Sequence, residues 1–233
     1  MSSTIVTNSL RRSQLYRRHI EMGATFEALG DSVVVSRYGK HEEELAQAQQ
    51  LGLADLSTLP RLGFKGTGTT DWAIRQGIEL PAQPNRATLQ SDGTLVARLS
   101  QSELLLASNL HGLSEQIANA TQAAAQSSLP ERVYSLPRHD SHSWLVLCGS
   151  HAAETLAKVC GVDLRAHKFA NGKVAQTSVA RVNGVLVRND HGDTLAYSIF
   201  SDSSSIEFLW DSLLDAMIEF DGAAIGVPVL RDC

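Results

Sequence analysis

The chain has 233 residues, 43% of them hydrophobic and 19% charged, which suffices for one or two packed cores and excludes disordered and collagen-like chains. Twenty lysines and arginines against 25 acids leave a formal charge of -5, so no general field favours nucleic acid or an anionic membrane. Three cysteines without C-x-x-C spacing, no charged-then-apolar leader, and apolar runs (144–148, 225–230) far short of the roughly 18 residues that cross a bilayer together predict a cytoplasmic chain with neither a disulfide framework nor a membrane span.

In chain order, residues 8–22 read as a helix whose basic cluster (Arg11, Arg12, Arg17, Arg18) forms a solvated face beside Leu10, Leu15 and Ile20. Val33, Val34 and Val35 read as a short buried strand. A helix over 40–51 carries Glu42, Glu43 and Glu44 in its first turns, where they suit the dipole, with Gly52 as its C-terminal cap. Residues 61–65 read as a strand, followed by a helix that ends at Gln76 and Gly77. From 87 to 108 come three strands, the first two joined at Asp92-Gly93, and a helix over 113–125 closes the first half. The best linker is 126–132.

The second half repeats this plan. Leu62-Gly63-Phe64-Lys65-Gly66, a helix, then Gly77-Ile78-Glu79-Leu80 is echoed by Leu145-Val146-Leu147-Cys148-Gly149, a helix, then Gly161-Val162-Asp163-Leu164. A hairpin follows each: Asp92-Gly93 precedes Leu95-Val96-Ala97-Arg98, and Asn183-Gly184 precedes Val185-Leu186-Val187-Arg188. Each half ends with a third strand and a helix, the last pair over 195–200 and 206–219. The pattern predicts an α+β fold, a duplicated pseudo-twofold pair of units with antiparallel sheets and a cleft between them. The boundaries expected are an N-terminal extension over 1–60, a first repeat over 61–130, and a second repeat with its tail over 131–233.

Clusters of reactive side chains have plainer explanations. Gly63, Gly66 and Gly68 with Lys65 and Thr67 miss both phosphate-loop spacings, and turn and capping chemistry accounts for them. His139, Asp140 and His142 would split across the faces of a strand with no third ligand at a useful spacing, so no metal site is expected. Cys148 reads as a structural thiol, and Ser150-His151 as no part of a triad.

Two sets of motifs carry a resemblance. Glu21-Met22-Gly23-Ala24-Thr25-Phe26, Tyr38-Gly39, Gly52-Leu53-Ala54-Asp55-Leu56-Ser57 and Phe64-Lys65-Gly66 resemble the opening of the aminomethyltransferase (glycine-cleavage T-protein) family. Leu147-Cys148-Gly149-Ser150-His151-Ala152-Ala153, Val162-Asp163-Leu164, the run from Phe169 to Thr177 and the helix over 208–219 resemble the gamma subunits of heterotetrameric sarcosine oxidases, which are related to the same folate-binding fold. Together the matches span roughly residues 21–222.

The resemblance implies tetrahydrofolate as a ligand and one-carbon transfer from amines, with an acidic residue in an Asn…Gly…Asp-Asp stretch. Here that stretch resembles 85–98, and the acidic pair becomes Asp92-Gly93. The family's second-half Gly-Glu-Asp-Gly-Phe-Glu-type segment resembles 188–198, where the final glutamate is missing and Tyr197 or Ser198 stands near it. Tyr38, Asp92 and Tyr197 are therefore the candidate folate-pocket residues, Asp92 the weak candidate for catalysis, and no cofactor is expected to be held tightly. The function implied is a gamma-like subunit or accessory of an amine-demethylating flavoenzyme, with flavin-containing oxidase or dehydrogenase chains as partners. The alternatives are a stand-alone tetrahydrofolate-dependent transferase and, more distantly, a ligand-binding regulatory module. In a subunit, the apolar tail over 223–230 is the expected contact with another protein, packing on its own core being the alternative.

Overall fold

A computed structural model describes residues 10–125 and 129–233. A short helix, α1 (Tyr16–Glu21), leads into a hairpin of β1 (Thr25–Leu29) and β2 (Ser32–Arg37), then α2 (His41–Leu51) and β3 (Gly52–Asp55). The first repeat is β4 (Arg61–Lys65), α3 (Thr69–Arg75), β5 (Arg86–Leu89), β6 (Leu95–Ser100), β7 (Glu103–Ala107) and α4 (Glu115–Ala125). After β8 (Tyr134–Leu136) and α5 (Arg138–Ser141), the second is β9 (His142–Cys148), α6 (Ala152–Val159), β10 (Val174–Val179), β11 (Val182–Arg188), β12 (Ala196–Asp202) and α7 (Ile206–Met217). The two-residue strand β13 (Ala223–Ala224) follows.

The strand orders make the duplication explicit. One sheet runs β5-β6-β7-β4-β8 and the other β10-β11-β12-β9-β3-β13, so each repeat lays its four strands in the same order. Alternation along the strands buries both faces of both sheets. Leu95, Ala97 and Leu105 of one sheet meet Trp144, Val146 and Phe200 of the other in an inter-sheet core. On the outer faces, Phe64 and Leu104 pack with Trp72 and Ile117 of α3 and α4, and Leu145 and Ile199 pack with Leu156 and Trp210 of α6 and α7. The result is four layers, helices outside two sheets whose pairs are antiparallel except for the short β13 on β3.

The strands preceding the repeats are exchanged. β3 comes just before the first repeat but pairs with β9 of the second, and β8 comes just before the second but pairs with β4 of the first. Both crossing segments converge on Arg61, only 2% exposed. Its Nη1 donates to the carbonyls of Leu56 (3.3 Å) and Leu59 (2.6 Å), and its Nη2 to those of Ser57 (2.9 Å), His139 (3.1 Å) and His142 (2.7 Å). Burial pushes the guanidinium down to about 10, with Asp55 and Asp140 opposing and Arg11 adding to the fall, so it stays charged at neutral pH.

Several sequence expectations need correction. The first helix is confined to Tyr16–Glu21 because the Arg11 backbone is taken by the hairpin, its N–H on Asp31 (2.9 Å) and its carbonyl accepting from Val33 (2.8 Å); residues 8 and 9 lie outside the described residues. Strand β1, with little alternation of its own, is an element the sequence did not announce. Gly52 is extended (φ -120°) and leads straight into β3; a Cβ there would lie 2.7 Å from Ile225. Asn183-Gly184 lies within β11, and the turn is Ala180-Arg181, both left-handed (φ 48° and 66°) as in a type I′ turn. Gly184 is there for close approach, since a Cβ would sit 2.5 Å from the Phe200 carbonyl. Of the expected linker, residues 126–128 lie outside the described residues.

The tail is core. Ile225, Val227, Val229 and Leu230 are at most 1% exposed, and the N–H groups of Ile225 and Val227 donate to Leu53 (2.9 Å) and Val35 (2.9 Å). The expectation that this stretch meets another protein fails because the inter-sheet core takes up its apolar side chains.

Arg61→Met should strand the carbonyls of Ser57, Leu59 and His142 beside an apolar side chain, those of Leu56 and His139 keeping the Leu59 N–H and Arg11 Nη2, and lower unfolding free energy by about 3 kcal/mol or more. Urea denaturation followed by tryptophan fluorescence measures it, and a loss below about 1 kcal/mol would mean that the crossings hold without Arg61.

Candidate functional site

At one end of the inter-sheet core lies a cavity of about 300 Å3, whose walls include Leu89, Leu95, Trp144, His191, Leu230 and Cys233. That is the lower end of the range for small-ligand pockets. Trp144 is stacked on Phe200 at 5.4 Å between centroids, and its Nε1–H donates to Ser198 Oγ at 3.1 Å. His191 is held by backbone bonds in both directions with Thr194 (3.0 and 2.8 Å). Its Nε2 is buried and has no hydrogen-bond partner among the described residues. Burial pushes the ring down to about 4 against the pull of Asp190, so it is neutral at physiological pH and one nitrogen remains available to accept or donate. Asp190 also lines the cavity, but both its oxygens are held by Arg188, at 3.0 Å from Nε and 2.7 Å from Nη2.

The three residues expected in a folate pocket are not brought together. Asp92 turns away from the cavity toward α4, while its neighbour Gly93 lines the wall. Its Oδ1 accepts from the Thr94 N–H at 2.9 Å, which makes the hairpin turn, and its Oδ2 accepts from the Gln116 N–H at 3.4 Å at the start of α4. Slight burial works against the charge, but these bonds, with others from Thr94 and Glu115, hold the carboxyl below its usual range.

Tyr38 packs on the helix side of the second sheet, its hydroxyl 2.7 Å from His19 Nδ1. His19 Nε2 in turn lies 3.0 Å from Asp55 Oδ2, both side chains almost fully buried. Burial first, then Asp55 and Glu44, push the Tyr38 phenol well above its ordinary range, so it is a poor nucleophile or acid. The chain Tyr38–His19–Asp55 ties α1 and the β1–β2 hairpin to β3.

Tyr197 faces α6 and α7, donates to the Leu164 carbonyl, and is pushed up to about 12 by burial. Its neighbour Ser198 points between the sheets, as strand alternation requires. The polar cluster before β9 is likewise engaged: His139 Nε2 is 3.1 Å from the Thr58 carbonyl, and His142 lies 2.8 Å from Arg138 Nη1 and 2.9 Å from Ser141 Oγ. Cys148 is buried, which pushes its thiol up and makes it inert. Sequence reasoning missed His191 and Trp144 as wall residues; the turn-rich run Asn189-Asp190-His191-Gly192 was the one signal for the first.

These features define a duplicated two-sheet α+β protein with a small cavity between its repeats. The GCVT N-terminal domain family model matches residues 82–232, and the chain belongs to that family. It is 29% identical over 221 residues to the sarcosine oxidase subunit gamma of Corynebacterium sp., an alignment covering 95% of this chain and 97% of that protein. To the aminomethyltransferase of Acidobacterium capsulatum it is 26% identical over 236 residues, covering 94% of this chain but 60% of the relative; the chain thus spans about three fifths of such proteins. A chain of the heterotetrameric sarcosine oxidase of Corynebacterium sp. U-96, solved in complex with pyrrole 2-carboxylate, superposes with a TM-score of 0.62 at 26% identity, over 78% of this chain and 93% of that one. The glycine cleavage aminomethyltransferase T of Bartonella henselae shares the fold, with a TM-score of 0.71 at 17% identity over 96% of this chain and 61% of that one.

The His19–Asp55 pair gives a pH prediction. Burial raises the Asp55 carboxyl, but hydrogen bonds and charge from His19, with bonds from Ser13 and Ser57, outweigh it and leave a net lowering. A lowered carboxyl stabilises the fold above its unfolded value of about 3.9 and loses that contribution as pH falls through the folded value. Asp55→Asn should therefore cost about 3 kcal/mol at pH 7, and its gap from the wild type should narrow below pH ~4. Urea melts from pH 7 to pH 3 test this; a constant gap would exclude Asp55 ionisation as the cause.

Proposed function

We propose that the chain is a subunit of a flavin-dependent, amine-demethylating oxidase of the sarcosine oxidase gamma type, contributing assembly rather than chemistry. The observation that carries the reading is similarity: the chain is 29% identical to that gamma subunit over 95% of its own residues and superposes on a chain of the heterotetrameric oxidase with a TM-score of 0.62. The candidate site supports it. A pterin offers N–H donors that call for carboxylate acceptors, yet the carboxylate in the cavity wall, Asp190, is engaged by Arg188, and Asp92 caps a turn and a helix. The polar groups present therefore do not fit a tightly held tetrahydrofolate.

The second reading, a tetrahydrofolate-dependent one-carbon transferase, draws on family membership and on the cavity itself. Titration calorimetry with tetrahydrofolate separates the two. Weak or absent binding is expected, and a Kd below about 10 μM, roughly -7 kcal/mol, would promote the transferase. Mild purification from the native cell should also bring flavin-containing chains along, visible by their absorbance near the flavin maximum. A chain that emerges alone and flavin-free would count against the subunit.

A further inference from the structure

The wall of the cavity between the repeats carries one cation whose hydrogen bonds the fold does not complete. Arg231 of the tail lines the cavity. Its Nε and Nη2 both donate to the Leu110 carbonyl, at 3.2 and 3.0 Å, which fixes the plane of the guanidinium. Its Nη1 has no acceptor among the described residues. The nearest carboxylate oxygen, on Glu27, is 3.8 Å away, beyond hydrogen-bond reach, and that side chain is 40% exposed, so solvent screens it. The other acids nearby are committed: Asp190 is held by Arg188 at 2.7 Å, and Asp232 pairs with His41 at 3.0 Å. Two more polar residues of the wall, His111 and Asn189, make no side-chain hydrogen bond among the described residues. The apolar part of the wall is Leu95, Trp144 and Leu230, almost fully buried, with Leu89 half exposed.

We propose that this cavity binds a small organic monocarboxylate, its anion on Arg231 and its apolar body against Leu89, Leu95 and Leu230. A concave space of about 300 Å3 with apolar walls and a few polar groups is the usual form of a small-ligand site. A guanidinium already oriented by a carbonyl loses little freedom on receiving a carboxylate, and the bond formed is charge-assisted. One cation calls for one anion, because a dicarboxylate would leave its second charge unpaired against apolar walls. Arg231 belongs to the tail, His111 to the first repeat and Asn189 to the second, so an occupied cavity ties three parts of the chain together, and the ligand should raise the melting temperature. The proposal goes beyond the subunit reading and does not rest on it.

The test uses the full chain and three probes of similar shape: benzoate, its neutral amide benzamide, and the benzylammonium cation. Titration calorimetry should find benzoate bound about tenfold more tightly than benzamide, and no benzylammonium bound at ~10 mM. In Arg231→Gln, which keeps an amide N–H for the Leu110 carbonyl, the preference for benzoate should fall to about twofold or less, with thermal melts establishing that the variant is folded. Methyl NMR of the leucine-labelled wild-type chain needs no variant: benzoate should shift Leu89, Leu95 and Leu230 and leave Leu113, outside the cavity, unmoved. Equal affinity for benzoate and benzamide, no benzoate binding up to ~10 mM, a folded Arg231→Gln that keeps the full preference, or shifts confined to other leucines would overturn the proposal. None of these results touches the subunit reading, which stands or falls on the co-purifying flavin-containing chains.

Discussion

Arg61 is where the two repeats become one molecule. Exchanging β3 and β8 between sheets forces two chain segments, 56–60 and 137–142, to cross through the junction, and neither can pair its carbonyls in a ladder there. Unpaired buried carbonyls are costly. A planar guanidinium with several donors reaches five carbonyls from one side chain, three of which have no other donor among the described residues, and a lysine could not do so with the same geometry. The position sits at the first residue of β4, so the strand that begins the first repeat also anchors the entry to the second.

The same device recurs in smaller form. Arg98 on β6 donates to the carbonyls of Pro81 (2.9 Å) and Ala82 (3.0 Å), and Arg188, its counterpart on β11, donates to those of Ala166 (2.9 Å) and Phe169 (2.8 Å). Each thereby fixes the irregular connection between its repeat's first helix and the following strand. Where the repeats diverge is in the partner of the arginine: Gln101 for Arg98 and Asp190 for Arg188. The second choice neutralises the carboxylate nearest the cavity.

Much of the architecture was legible because it rests on local rules. Arg61–Lys65, the Asp92-Gly93 turn and the repeated order of strands and helices follow from periodicity and turn residues. The failures have non-local causes. Asn183-Gly184 carries a turn signature, but Gly184 serves close packing against Phe200 and the chain reverses at Ala180-Arg181, a pair with no turn preference of its own. The exchange of β3 and β8 is likewise non-local, because neither strand's own residues name the sheet it joins. Tyr38 and Tyr197 were placed in a pocket by motif position, and the hydrogen bonds to His19 and Leu164 that claim them belong to tertiary structure.

A one-residue parity decides the chemistry of the cavity. On β12, Ala196, Ser198 and Phe200 face the other sheet, whereas Tyr197 and Ile199 face the helices. Of the two residues that stand near the position where the aminomethyltransferase motif ends in glutamate, the inward one is therefore Ser198, and its hydroxyl accepts the Trp144 indole N–H. An ionised side chain there would have to share a dry space with stacked Trp144 and Phe200, at a cost that a ligand would have to offset. Serine removes that conflict and lets the aromatic pair close the sheets together. The cavity that remains is edged by a neutral histidine, a carboxylate held by arginine, and Arg231 of the tail, whose guanidinium donates to the Leu110 carbonyl of the first repeat and so helps to hold the two repeats in register.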